Sequence, residues 1–92
     1  MVELGGNMKP YLDIKYRKGS FIRVFFPWLK EKELVWHRDK KDRSVTTLFN
    51  FSWNFQFDNE LPFLLKREIF IQKETFHRLI KGKGLLVLKI KE

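Results

Sequence analysis

The stretch FNFSWNFQF, residues 49 to 57, sets an aromatic ring at every odd position and a polar side chain at every even one. Successive side chains of an extended chain point to opposite faces, so this period of two reads as a β-strand with one buried face. Burying one Phe is worth roughly 1.5–3 kcal/mol, which makes the aromatic face a core face. Phe51, Trp53, Phe55 and Phe57 are therefore expected to point inward together, with Ser52, Asn54 and Gln56 outward, and the strand is expected to bend or break near Asn50. Asp58-Asn59-Glu60 follows with turn chemistry, ahead of the apolar residues 61–65.

Outward from this strand, the same reading places further strands at residues 11–16, 21–26, 33–37, 45–48, 69–71, 76–80 and 85–90. Gly19-Ser20 and Gly82-Lys83-Gly84 fit tight turns between neighbouring strands, and Lys30-Glu31-Lys32-Glu33 fits a single helical turn. No long amphipathic helix interrupts them. Many short strands at regular spacing indicate an all-β sandwich or barrel.

Ninety-two residues suffice for one core and not for two. The domain is expected over residues 11–92, after a flexible lead at residues 1–10 that carries Gly5 and Gly6. Aromatics make up 16% of the chain, so the core is one filled by large rings. The absence of cysteine excludes disulfides, thiolate zinc sites and thiol nucleophiles, and it suits a reducing compartment; a cytoplasmic location is expected. No apolar run approaches the roughly 18 residues of a membrane span, and residues 1–10 lack the apolar centre of a secretory signal.

The net charge of +8 attracts anions without specificity. Its lysines and arginines are interleaved with acids, as in Lys30-Glu31-Lys32-Glu33 and Lys40-Lys41-Asp42-Arg43, which describes a solvated surface. Nucleic acid is accordingly not expected as a partner. The alternative function is a basic accessory module that binds nucleic acid or an acidic protein, and its binding would weaken steeply with salt.

The two histidines, His37 and His77, lie in VWHRDKKDR (35–43) and TFHRLIKG (75–82). Together with the strand pattern, their spacing resembles that of small single-domain cupins, double-stranded β-helix barrels of jelly-roll type. That family carries two motifs, G-x5-H-x-H-x3-E-x6-G and G-x5-P-x-G-x2-H-x3-N. With His37 on the leading histidine of the first motif, Asp39 falls on the second histidine, Arg43 on the glutamate and Asn50 on the closing glycine. With His77 on the histidine of the second, Lys66 and Glu74 fall on its glycines and Gln72 on its proline. Residues 51–65 suit the shortest segments between the two motifs. Every motif glycine is thus replaced, so Lys66 and Glu74 are expected in altered turns, because such glycines mark positive φ.

The resemblance implies a barrel cavity lined by His37, Asp39 and His77, with two imidazoles and one carboxylate as a ligand set for one divalent metal (Fe, Zn, Ni or Mn). The competing reading is a metal-free cavity in which the histidines are hydrogen-bonded, since the Arg43 cation would repel a bound metal. The resemblance also implies a small-molecule ligand in the cavity and a homodimer, for which Phe25, Phe26 and Trp28 are the expected contact residues. His-x-Asp with a distant His is also the pattern of the 2-oxoglutarate oxygenases, which share the barrel, but this chain leaves little length for cosubstrate and substrate elements. Catalytic residues are not assigned. The serines show no nucleophile-elbow pattern, and Gly82-Lys83-Gly84 is too short for a phosphate loop. Residues 75–82 are expected to run turn, strand, turn, with His77 inside and Arg78 outside.

Overall fold

The computed structural model describes residues 10–92; the remainder of the expected lead, residues 1–9, lies outside the described residues. Alternation is cleanest in LVLKIK, where Leu86, Leu88 and Ile90 are buried while Lys89 and Lys91 are exposed. This strand, β8 (Leu86–Lys91), is the centre of a five-stranded antiparallel sheet. On one side it pairs with β2 (Ser20–Phe25), which pairs with β1 (Tyr11–Arg17) across the expected turn at Gly19. On the other it pairs with β3 (Arg43–Asn50), which pairs with β6 (Glu68–Ile71). A second antiparallel sheet has β4 (Asn54–Phe57) between β5 (Phe63–Leu64) and β7 (His77–Ile80). The protein is all-β, as expected, in two antiparallel sheets that are not closed into a continuous barrel.

The core lies where both sheets meet. Phe21, Phe25, Val45, Ile71, Leu86, Leu88 and Ile90 come from the larger sheet, and Phe55 from the smaller. Trp53, just before β4, is fully buried, with its ring 5.8 Å from Phe25 and its Nε1–H donating to the carbonyl of Gly84 at 3.0 Å. Trp53 and Phe55 thus point inward as the aromatic period requires, and Phe57 is half-buried beside them.

Phe49 and Phe51 do not follow, being 56% and 69% exposed. Two local devices explain this. The β3–β8 register advances one residue between Thr47, opposite Leu88, and Phe49, opposite Val87. Leu48 is the extra residue of a β-bulge, and one residue reverses the face of everything after it. Next, the Asn50 side chain ends the strand: its Oδ1 accepts from the Trp53 N–H at 2.8 Å, and its Nδ2 donates to the carbonyls of Trp53 and Leu65. The chain turns at Phe51 and Ser52, so the nine-residue strand is two strands separated by a break at the expected Asn50.

Other expectations also change. Residues 33–37 form no strand: a 3-10 turn spans Glu31–Glu33, and His37 makes a single β-bridge to His77. Gly82 does not close a hairpin, because β7 and β8 belong to different sheets. It lies so close to the chain at Ser52 and Trp53 that a Cβ there would collide with their backbone.

Of the four positions at which the motif glycines are replaced, Glu31, Asn50, Lys66 and Glu74, only Glu74 has a positive φ, 62°. Its turn keeps the left-handed backbone without the glycine, and its N–H donates to the Asp39 carbonyl at 2.7 Å. That conformation costs a non-glycine residue about 1–2 kcal/mol, against about 0.5–1 kcal/mol of chain entropy for glycine. The Glu74–Arg38 ion pair at 3.2 Å is more than half exposed on both sides and offsets little. Glu74→Gly is therefore expected to stabilise the fold by about 0.5–1 kcal/mol in denaturant unfolding. A clear loss of stability would show that the turn is not strained.

Candidate metal centre

His77 opens β7 and His37 crosses it, joined by two backbone hydrogen bonds, His37 N–H to His77 O at 3.0 Å and the reverse at 2.9 Å. This bridge sets the two imidazoles side by side, ring centres 4.3 Å apart and edge to face. Residues 37 and 39 share a side of the extended segment, and Asp39 falls beside both rings. One ligand atom from each of His37, Asp39 and His77 lies within 4.8 Å of the others. The burial is graded: the His77 side chain is 5% exposed, Asp39 12% and His37 48%, so the cluster has one open side.

Both imidazoles are held in the same way. His77 Nδ1 lies 2.8 Å from the Thr75 carbonyl and His37 Nδ1 lies 3.0 Å from the Val35 carbonyl. A carbonyl oxygen only accepts, so each Nδ1 carries the hydrogen and, in the neutral ring, each Nε2 presents its lone pair. Both Nε2 atoms face the Asp39 carboxylate, His77 at 3.3 Å from Oδ2 and His37 at 3.9 Å from Oδ1. Asp39 Oδ2 is buried and has no aligned hydrogen-bond donor among the described residues. Lone pairs therefore converge on a space that is satisfied by a cation or by an added proton.

Asp39 is ready for either. Burial raises its pKa, but the His77 contact, the Arg43 guanidinium and the two imidazoles when charged together outweigh it and hold the carboxyl below the ordinary carboxylate range. It is ionised at neutral pH. Arg43 Nη1 lies 3.4 Å from Asp39 Oδ2 and Arg43 Nε donates to Glu92 at 2.7 Å. The cation expected to repel a metal is thus partly neutralised by two carboxylates. Nothing in the sequence pointed to Glu92, which is 49 residues from Arg43.

The cluster opens on a cavity of about 280 Å³. Phe25, Leu34, Phe55, Leu79 and Leu88 supply apolar wall, and Arg23, Arg43 and Glu33 supply charge beside Asp39. Phe55 stacks on the His77 ring at 5.4 Å and 18°, which fixes the buried imidazole from the core side. Arg78 points to the other face, donating to Gln56 at 2.8 Å and covering the Trp36 ring.

Solved structures share this arrangement of strands. A cupin-2 domain containing protein from Shewanella frigidimarina superposes with a TM-score of 0.62 over 94% of this chain and 82% of its own, at 17% identity. The fold is that of the cupins. A candidate mannose-6-phosphate isomerase from Ralstonia eutropha has a TM-score of 0.61 over 98% of this chain and 89% of its own, at 16% identity. A structure of DMSP lyases has a TM-score of 0.63 at 12% identity over 77% of this chain, which spans 35% of that one. At such identities the likeness is one of fold. No protein-family model and no curated protein matches by sequence. In this fold His37 and His77, far apart in the chain, meet through the bridge that residue 37 makes to β7.

Proposed function

We propose that this cupin-fold protein binds one divalent metal ion through His37 Nε2, His77 Nε2 and an Asp39 oxygen, and receives a small ligand in the adjoining cavity. The observation that supports this best is the convergence of two oriented Nε2 lone pairs on a buried Asp39 oxygen that has no aligned donor. Backbone carbonyls on the far nitrogens are the usual means of orienting metal-ligating imidazoles. Two imidazoles and one carboxylate suit Fe, Zn, Ni or Mn with open positions, and a metal held there would supply Lewis-acid or redox chemistry to a bound ligand. The chain's own part is to orient the rings, keep Asp39 ionised and wall the ligand from water. Elemental analysis of untagged protein, followed by zinc titration of the stripped protein, should find one ion per chain. A stripped protein that takes up no zinc or nickel would end this reading in favour of the metal-free cavity.

We also infer a cytoplasmic protein that pairs with a second copy. Among the described residues no helix is long and apolar enough to cross a membrane. Phe25, one of the expected contact residues, is core; Phe26 is half-buried and stacks on the exposed Trp28 at 4.7 Å. A broader apolar surface is the outer face of the larger sheet, where Leu12, Val24, Val87 and Phe49 lie in register across four strands beside Ile14 and Ile22. Such a patch exceeds the scattered exposure normal for a monomer. The pairing should bury at least about 1,000 Å². Sedimentation at tens of micromolar should give a dimer; a monomer there would remove it.

A further inference from the structure

Arg43 takes the place of the acidic residue in the cupin pattern, and its surroundings narrow the class of molecule that fits the cavity. Its guanidinium has five N–H donors. Among the described residues its polar partners are Glu92, on Nε, and Asp39, 3.4 Å from Nη1. The side chain is only 17% exposed and lines the cavity as well as a second hollow bounded by Asp13, Lys15 and Glu92, and its remaining N–H donors have no protein acceptor among the described residues. Arg23, the other cation in the wall, already has its charge matched by a carboxylate. Its Nε and Nη2 both bind Asp13, at 2.7 and 2.9 Å, and its guanidinium lies 3.6 Å over the Tyr11 ring.

Charge gives a second constraint. The contacting groups Asp39, Arg43 and Glu92 are two carboxylates and one guanidinium, one net negative charge. A divalent ion at the candidate centre turns this cluster into one net positive charge, which favours an anionic group beside Arg43; the wall's other carboxylate, Glu33, lies at the exposed rim and accepts from the Lys30 N–H. A planar carboxylate matches the parallel N–H donors of a guanidinium, and Arg23, the second cation of the wall, is already paired with Asp13 and has no unmatched charge for a second anionic group. We propose that the cavity takes a small apolar monocarboxylate, its carboxylate held by Arg43 beside the metal ligands and its body against Phe25, Leu34, Leu79 and Leu88. Arg43 is then the residue that determines specificity. The proposal rests on the reading of a divalent ion at His37, Asp39 and His77.

The test compares benzoate with benzamide, a neutral molecule of the same shape, by calorimetry on the zinc-loaded protein. Zinc alone is titrated first, so that failure of the metal reading is seen before any ligand is added; a chain that takes no zinc overturns both. With zinc bound, benzoate should bind at least about tenfold more tightly than benzamide, the gain of a charge-assisted paired hydrogen bond. Equal affinities in the unaltered protein overturn the proposal while leaving the metal centre intact, and this comparison needs no variant to fold. Arg43→Gln should bring the two ligands to within about threefold of each other. It should also bind zinc at least as tightly as the unaltered chain, because a neighbouring cation has been removed. A folded Arg43→Gln protein that keeps the full preference for benzoate would also overturn it.

Discussion

The His37→Ala, His77→Ala double variant should show no saturable uptake of zinc or nickel under conditions in which the unaltered chain binds one ion. Each substitution deletes an Nε2 donor that a backbone carbonyl has already oriented. Losing a supporting contact alone commonly costs about 10–100-fold in metal affinity, so losing two direct ligands should cost more than about a hundredfold. The single variants should differ in a second respect. His77 is buried against Phe55, so His77→Ala should also lower stability, whereas the more exposed His37 should come away with little effect on folding. Unfolding midpoints measured beside the titrations separate lost ligands from lost structure. Equal binding by the double variant and the unaltered protein would place the metal elsewhere.

The same titration carries a pH signature with a definite sign. Protons and metal compete for the same imidazole lone pairs, so affinity should fall as pH is lowered from neutral into the mildly acidic range. Asp39 does not contribute over that interval: its pKa lies below the ordinary carboxylate range, so it holds its charge until the solution is much more acidic. Its own stabilising effect is present above the unfolded-state carboxylate pKa and is lost as pH falls through the lowered folded value. A pH-independent affinity would exclude the imidazoles as ligands.

Phe55→Ala should destabilise the protein by about 3–5 kcal/mol, the range for emptying a buried aromatic site. Phe55 is 4% exposed and its ring meets Phe57 at 4.9 Å, Phe63 at 5.6 Å and His77 at 5.4 Å. Its loss removes apolar burial, three ring contacts and the wall behind the His77 imidazole. Metal binding should weaken with it, since a ring free to turn no longer holds its Nε2 toward Asp39. Denaturant unfolding measures the first effect and zinc titration the second. A change below about 1 kcal/mol would mean that the site collapses around the missing ring and that β4 does not anchor the centre.

Much of this architecture is local and therefore legible in the residues themselves. The inward face of Trp53 and Phe55, the buried alternation of Leu86, Leu88 and Ile90, and the turns at Gly19 and Asp58–Glu60 follow from side-chain parity and from backbone preferences that each segment carries alone. Parity also served within one motif, since residues 37 and 39 fall on one side of an extended segment whether or not it joins a sheet. The spacing of the two histidine segments, taken with the strand pattern, gave the expectation that His37 and His77 share a cavity, and both line one.

Tertiary structure decided what depends on pairing. Phe49 faces outward because β8 imposes a register that makes Leu48 a bulge, and the sequence of β3 contains no sign of where its partner will shift it. Gly82 proved to be a point of close backbone approach, a property of the Ser52–Trp53 segment it meets as much as of its own turn. Residues 33–37 carry the composition of a strand, yet they have only β7 to pair with and make a single bridge to it. Arg43 read as a charge hostile to metal until Glu92, distant in the chain, was brought against it. Alternation and turn propensity act over a few neighbouring residues, so the amino-acid sequence by itself determined an all-β chain and its candidate ligands. Register, burial and the electrostatic balance of the centre come from contacts between segments far apart in the chain, and only the folded protein decided them.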